Sequence, residues 1–186
     1  MLPGFIARYP DVRVILTVDN RNVDLLIEEI DVAIRIGPLP DSELIARRLA
    51  TFELWPCASP TYLAGAAPIA APADLLAHRL IGHVSRGERW VFRTPGGAVR
   101  DIEFDPGIVV PEPDVLRTML LLDAGIVILP DFHAADGIAN GTLARVLPGF
   151  QGRSVDAHAL YPSHRSLSAK VRVFIDSMVQ HLQHPR

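Results

Sequence analysis

The chain has 186 residues, a formal net charge of -3, 49% hydrophobic and 21% charged residues, and a single cysteine. That length can bury a sizeable core in one domain or in two lobes of about 90 residues each, and the composition is too apolar for a disordered chain. The acidic balance supplies no basic field for nucleic-acid phosphates, one cysteine excludes an internal disulfide or thiolate metal cluster, and the lack of a membrane-length apolar run or secretion signal points to the cytoplasm.

Val12, Val14, Leu16 and Val18 alternate at period two with Ile15 on the other face, which predicts a strand over residues 12–18 buried on both sides. Asn20 or Asn22 is placed to cap a following helix with the stripe Val23, Leu26, Ile27 and Ile30. A strand beginning near Val32 completes a βαβ unit, whose crossover makes its two strands parallel and its turn right-handed. The stretch Asp31-Val-Ala-Ile-Arg-Ile-Gly-Pro-Leu-Pro-Asp-Ser42 joins this apolar strand to an abrupt Gly37-Pro38-Leu39-Pro40 stop, where open α/β sheets bind ligands. Residues 44–49 and 52–58 read as two further strands, and Pro60 opens a short helix at its first position. Cys57, between Pro56 and Ala58, reads as a packed small hydrophobe.

Residues 66–73, rich in Ala and Pro, form a connector near the lobe boundary, followed by a helix around 73–78 and a strand over 80–83. Trp90-Val-Phe-Arg93 and residues 99–104 flank Thr94-Pro-Gly-Gly97, a hairpin signal. A strand at 108–110, a helix over 114–123 and a strand at 126–129 make a second βαβ unit; a helix over 131–140 ends on Gly141. Two such assemblies separated by a connector argue for paired α/β lobes. The last helix, 168–183, carries Val171, Phe174, Ile175, Met178, Val179 and Leu182 on one face, which must dock.

After the 31–42 stretch come Cys57-Ala-Ser-Pro-Thr-Tyr-Leu-Ala64, Gly125-Ile-Val-Ile-Leu-Pro130, and Leu143-Ala-Arg-Val-Leu-Pro148 leading to Leu160-Tyr-Pro162 and Lys170-Val-Arg-Val-Phe-Ile-Asp176. In this order they resemble the effector-binding domain of LysR-type transcriptional regulators. The resemblance implies an α/β fold of two Rossmann-like lobes, as in type 2 periplasmic-binding proteins. Residues 1–57 with 163–186 are then lobe I and residues 58–162 lobe II, with a small effector in the cleft and the C-terminal helix returning to lobe I. It also implies a homodimer and no cofactor. Against the family pattern, residues 1–10 begin inside the first helix, so the domain's first strand and the DNA-reading helix-turn-helix are missing. The lost strand should expose sheet edges, and this polypeptide alone should not bind an operator. Asp123 stands where many relatives carry glycine, and Pro111 where asparagine is common.

Ligands of open α/β sheets sit beyond the carboxyl ends of strands. The candidate effector contacts are therefore Asp19, Asn20 and Arg21, then Gly37, Pro38 and Leu39, and from the second lobe Pro111, Glu112 and Pro130 with the adjoining Pro113 and Asp131. Helix starts near Asn22 and Asp114 offer N–H groups to an anion. Glu112 would repel a carboxylate effector, and Arg21 or Arg35 would attract one. Asn20 as a plain cap and Pro38 as a plain turn former are the structural alternatives. Catalysis finds no motif: there is no Gly-x-Ser-x-Gly elbow, phosphate-binding glycine loop or His-Glu-x-x-His helix. His181 and His184 read as a solvated helix terminus rather than metal ligands, and His78 and His83 flank a strand with no carboxylate at a recognisable spacing. The expected function is an effector-sensing domain acting by population shift. The alternatives are a solute-binding protein of a transport system and an inactive remnant that only dimerises.

Overall fold

The computed structural model describes residues 1–18, 24–83, 86–162 and 168–183. They fall into two compact units, Met1–Thr51 with Val155–Arg186 and Phe52–Ser154. The chain passes from one unit to the other inside strands.

The second unit grows around β7 (Ile126–Pro130), buried along its whole length. Ile126 and Ile128 enter one core with Leu75, Trp90, Phe92 and Ile102, while Val127 and Leu129 enter another with Ile81, Leu116, Leu120 and Ala134. A continuous apolar run specifies such burial on both faces, and each large side chain contributes roughly 2–3 kcal/mol. β7 runs antiparallel to β2 (Ile45–Ala58) and parallel to β3 (Leu80–Gly82), whose other neighbour, also parallel, is β6 (Ile108–Val109). The expected crossover from β6 to β7 is α3 (Pro113–Leu121). After β7 comes α4 (Asp131–Ala139), and Gly141 beyond it takes a φ of 77°, where glycine is favoured.

The predicted hairpin forms from β4 (Glu88–Arg93) and β5 (Val99–Phe104), with Trp90 opposite Ile102. Its turn closes when the Thr94 N–H donates to the Ala98 carbonyl at 2.8 Å, with Gly97 at a φ of 85°. β8 (Ala144–Arg145) pairs with β2, and β9 (Gln151–Gly152) with β4. Pro60 opens α2 (Pro60–Ala64) as expected, and the Ser59 hydroxyl caps it by accepting from the Tyr62 N–H at 3.0 Å. The helix expected near 73–78 is a 3-10 segment, Pro72–Ala77. The two strands expected over 44–49 and 52–58 are one 14-residue strand, because no Gly or Pro interrupts the chain between them.

The first unit contains α1 (Leu2–Arg8), β1 (Ala33–Ile36), most of β10 (Ser154–Tyr161) and α5 (Ala169–Gln183). β10 lies between β1 and β2, antiparallel to β1 with Ala33 opposite Leu160. α5 docks as its stripe requires. Val171 and Ile175 bury against Leu49 and Ala159, with Phe174, Met178, Val179 and Leu182 packed around them. The Phe174 ring meets Phe5 of α1 edge-on at 5.2 Å.

The strand expected near Val32 forms as β1, but the expectations for residues 12–18 and for a helix and parallel crossover ahead of β1 do not hold among the described residues. Residues 12–18 form no strand, and Ile15, Leu16 and Val18 are 75%, 71% and 76% exposed. The helix expected next is a single turn over residues 25–29, in which the Asp24 carboxylate accepts from the Leu26 N–H at 2.9 Å. Leu25 is buried while the predicted stripe residues Leu26 and Ile27 are exposed, and the expected caps Asn20 and Asn22 and the stripe residue Val23 lie outside the described residues. β1 alternates half-buried and exposed positions, with Ile34 and Ile36 exposed, and has no parallel partner among the described residues. The first βαβ unit is therefore not formed there. A period-two pattern marks side chains able to pave a sheet, but the ladder needs a neighbouring strand to exchange N–H and C=O groups, and residues 12–18 have none among the described residues.

Candidate functional site

In the second unit β7, β3 and β6 run parallel, so their carboxyl ends point the same way, and the loops there are Gly82–His83, residues 110–113 and Pro130–Asp131. The Val110 N–H donates to the Gly82 carbonyl at 3.0 Å, which holds the first two loops side by side. Gly82 is required here, since a Cβ would sit 2.6 Å from Pro106 Cγ. The backbone N–H of His83 donates to Glu88 Oε2 at 3.0 Å, and Trp90 Nε1–H donates to Glu88 Oε1 at 3.1 Å. His83 Nδ1 lies 3.9 Å from the same carboxylate. Burial pushes the His83 pKa down more strongly than Glu88 lifts it, so the imidazole is neutral at pH 7.

Pro113 occupies the first turn of α3, its fixed φ suited to a helix start, and Glu112 is the N-cap without a side-chain cap bond. Asp131 fixes the start of α4. Its Oδ1 accepts from the Phe132 N–H at 2.8 Å, and its Oδ2 accepts from the Glu53 N–H at 3.1 Å, tying β2 to α4. Phe132 packs on Phe52 with ring centroids 4.5 Å apart. On α4, His133 Nδ1 lies 3.6 Å from Asp114 Oδ1 of α3. Burial lowers the His133 pKa against the lift from Asp114, and Arg117 lowers it further. The edge thus carries neutral imidazoles, an aromatic pair and engaged carboxylates. Such groups hydrogen-bond and stack on a ligand, and they form no nucleophile–base pair of the kind covalent catalysis needs.

Of the sequence-predicted contacts, Pro111, Glu112 and Pro130 stand at this edge, with Pro130 buried at the end of β7. Gly37, Pro38 and Leu39 follow β1 in the first unit. Gly37 has a φ of 101° and donates its N–H to the Asp156 carbonyl at 2.9 Å, leaving Pro38 exposed. Asp19, Asn20 and Arg21 lie outside the described residues. The reading that His83 lacks a carboxylate partner is corrected by Glu88, which the start of the hairpin turns back onto it. Asp123 has a φ of 57°, the left-handed region where glycine is favoured, and its carboxylate accepts from the Ser59 hydroxyl.

The sequence reading missed a partly buried ionic cluster in the second unit. Glu53 Oε1 accepts from Arg145 Nη2 at 2.7 Å and from the Gly152 N–H at 2.9 Å, and the Arg145 guanidinium lies 4.6 Å above the Trp55 ring. Burial alone would raise the Glu53 pKa, but Trp55, Gly152 and Arg145 overcome it and hold the carboxyl below its ordinary range. The pair is 92 residues apart in sequence, so no local spacing announces it. Cys57 is fully buried, which pushes its thiol up to about 12. Among the described residues no helix is long and apolar enough to cross a membrane, and no three His, Cys, Asp or Glu side chains form a metal-holding group.

Comparison with known proteins places this geometry in context. The family model described as the LysR substrate binding domain matches residues 1–183. The chain is 37% identical over 180 residues to the HTH-type transcriptional regulator PtxR of Pseudomonas aeruginosa, covering 96% of this chain and 58% of that protein. Among solved structures, the regulatory domain of CrgA, a LysR-type transcriptional regulator from Neisseria meningitidis, superposes with a TM-score of 0.86 at 29% identity over 97% of this chain and 89% of that one. The regulatory domain of AphB from Vibrio vulnificus gives 0.76 at 30% identity, over 96% and 90% of the two chains. The chain spans about half the length of the curated relatives it matches.

Proposed function

Because this chain belongs to the LysR substrate-binding domain family, we propose that it is the effector-sensing part of a transcriptional regulator, reading a small organic molecule through loops at the carboxyl ends of its strands. The observation that carries this reading is the parallel order β7-β3-β6, which gathers three carboxyl-end loops at one edge of the second unit. Pro111, Glu112 and Pro130 contact the effector from this edge. Gly37, Pro38 and Leu39 contact it from the loop after β1, together with Asp19, Asn20 and Arg21. The two units serve as the lobes of the sensor.

The effector acts by population shift: it favours one arrangement of a homodimer by the difference of its affinities for the alternatives. DNA contact belongs to other parts of the regulator, the sensing part performs no chemistry on its ligand, and the whole works in the cytoplasm. The test is titration of the labelled chain with a panel of small organic acids and aromatics, followed by thermal shift and by amide signals. Saturable changes at Gly82, Glu112 and Asp131 are expected, with affinity altered in Glu112→Ala. A panel that moves neither the unfolding midpoint nor these amides would defeat the sensing assignment.

A further inference from the structure

The carboxyl-end edge of the second unit is hydrogen-bonded toward both places where the chain leaves that unit, and the connection runs through one side chain. The β2–β7 ladder ends at the pair Leu54–Pro130, beyond which the chain turns into α4. Asp131 extends the ladder by one rung with its carboxylate: Oδ2 accepts the Glu53 N–H at 3.1 Å, while Oδ1 accepts the Phe132 N–H at 2.8 Å. Each oxygen thus holds a backbone N–H, one in β2 and one at the start of α4. The Phe52 ring packs on Phe132 beside this rung.

The connection continues from Glu53. Its Oε1 accepts the Gly152 N–H at 2.9 Å and Arg145 Nη2 at 2.7 Å, and the following residue, Leu54, donates its N–H to the Arg153 carbonyl at 2.9 Å. A Cβ on Gly152 would fall 1.9 Å from the Leu54 carbonyl oxygen, so the two segments touch without slack. The unit begins at Phe52 and ends at Ser154. Its two chain exits are therefore bonded to each other through Glu53 and Leu54, and to the edge through Asp131. A shift of the α4 start by about 1 Å away from β2 would break the Asp131–Glu53 bond unless β2 followed.

On the reading that these loops hold the effector, we propose that Asp131 is a positioning residue that relays occupancy of the edge to the two chain exits of the second unit. A ligand that displaces the start of α4 moves Glu53 through the Asp131 carboxylate, and Glu53 carries Gly152 with it. The effector's different affinities for the two settings of this rung then supply the coupling free energy.

A tether tests the relay by supplying occupancy without a free effector. In the ¹⁵N-labelled Glu112→Cys chain, benzyl methanethiosulfonate leaves a benzyl disulfide at the start of α3, whose Asp114 lies 3.6 Å from His133 of α4. Cys57 is fully buried with its thiol pushed up to about 12, so it does not compete for the reagent. Labelling should shift the amides of Gly82, Phe132, Glu53 and Gly152. With Asp131→Asn added, a single carbonyl oxygen holds only one of the two N–H groups, and the responses of Glu53 and Gly152 should fall about threefold or more while that of Gly82 persists. Glu53→Ala should remove the Gly152 response and keep that of Phe132, which leaves the test decisive if Asp131→Asn perturbs folding. A merely structural Asp131 would lower the unfolding midpoint and leave the responses to labelling unchanged. Unchanged responses in both variants, or no response of Glu53 and Gly152 to the tether, would overturn the relay. The ligand panel tests the sensing assignment separately, so the two failures are distinguishable.

Discussion

The two units answer the same kind of sequence signal differently. In the second, the apolar run of β7, the Thr94-Pro-Gly-Gly97 turn and the β6–α3–β7 crossover all take the structure their patterns announce. In the first, the cleanest period-two alternation of the chain, over residues 12–18, forms no strand and leaves Ile15, Leu16 and Val18 in solvent. β7 has partners on both edges and side-chain layers on both faces; residues 12–18 have no ladder among the described residues. Hydrophobic periodicity is a necessary condition for a strand, and the partner supplies the rest.

The contrast can be broken most directly by truncating side chains. Leu120→Ala should cost about 2–5 kcal/mol in urea unfolding, since it empties a fully buried position of the second unit. Ile27→Ser should change stability by about 0.5 kcal/mol or less, as its side chain is exposed. Equal costs would mean that the 12–36 region is packed after all.

Glycines sharpen the same point at the backbone. At Gly125, with a φ of 151°, a Cβ would stand 2.3 Å from the Arg79 carbonyl oxygen, so Gly125→Ala should cost about 3 kcal/mol or more. In the first unit Gly4 sits in α1, where an added Cβ would meet nothing within 4 Å, and Gly4→Ala should gain about 0.5–1 kcal/mol of helix stability. Paired thermal denaturation curves of the two variants would check both signs.

A smaller loss, about 1–3 kcal/mol, is expected for Glu53→Gln, which leaves the Arg145 guanidinium short of its charged partner. The folded Glu53 carboxyl is depressed from its ordinary 4.5, so its stabilisation is complete above that pH and is lost as the pH falls through the lower folded value. The stability–pH curve of Glu53→Gln should therefore be flatter than that of the parent below pH 4.5, and parallel curves would remove Glu53 from the acid response.

The smallest effect, about 1 kcal/mol or less, belongs to the half-buried imidazoles. His83 and His133 have pKa values lowered from 6.5, so the unfolded chain takes up protons first and their contribution is lost as the pH falls below 6.5 toward the folded values. Unfolding midpoints of His83→Asn should decline less than the parent's between pH 6.5 and 5, and an identical decline would show that His83 takes up its proton equally in the folded and unfolded chain.

Much of the second unit was legible because its signals are local: Pro60 marks a helix start, Gly97 a turn, and the apolar run at 126–129 a strand. The candidate site was legible only in outline. Pro111, Glu112 and Pro130 follow from the rule that ligands sit beyond strand ends, whereas the partners that shape the edge do not. Glu88 reaches His83 through the hairpin, and Asp131 takes the Glu53 N–H across 78 residues of sequence. The Glu53–Arg145 pair is likewise invisible to any window of spacing.

What the sequence by itself determined is the family, the order of the periodic elements of the second unit, and the helix and turn boundaries set by Pro and Gly. These depend on dihedral preferences and on apolar faces that a short window contains. What only the tertiary structure decided is which strands pair and which polar groups meet. β2 became one strand, β1 paired antiparallel with β10, residues 12–18 paired with nothing described, and His83 acquired Glu88. Ladder bonds and ion pairs are made between residues far apart in the chain, so their free energy is a property of the assembled fold rather than of any segment.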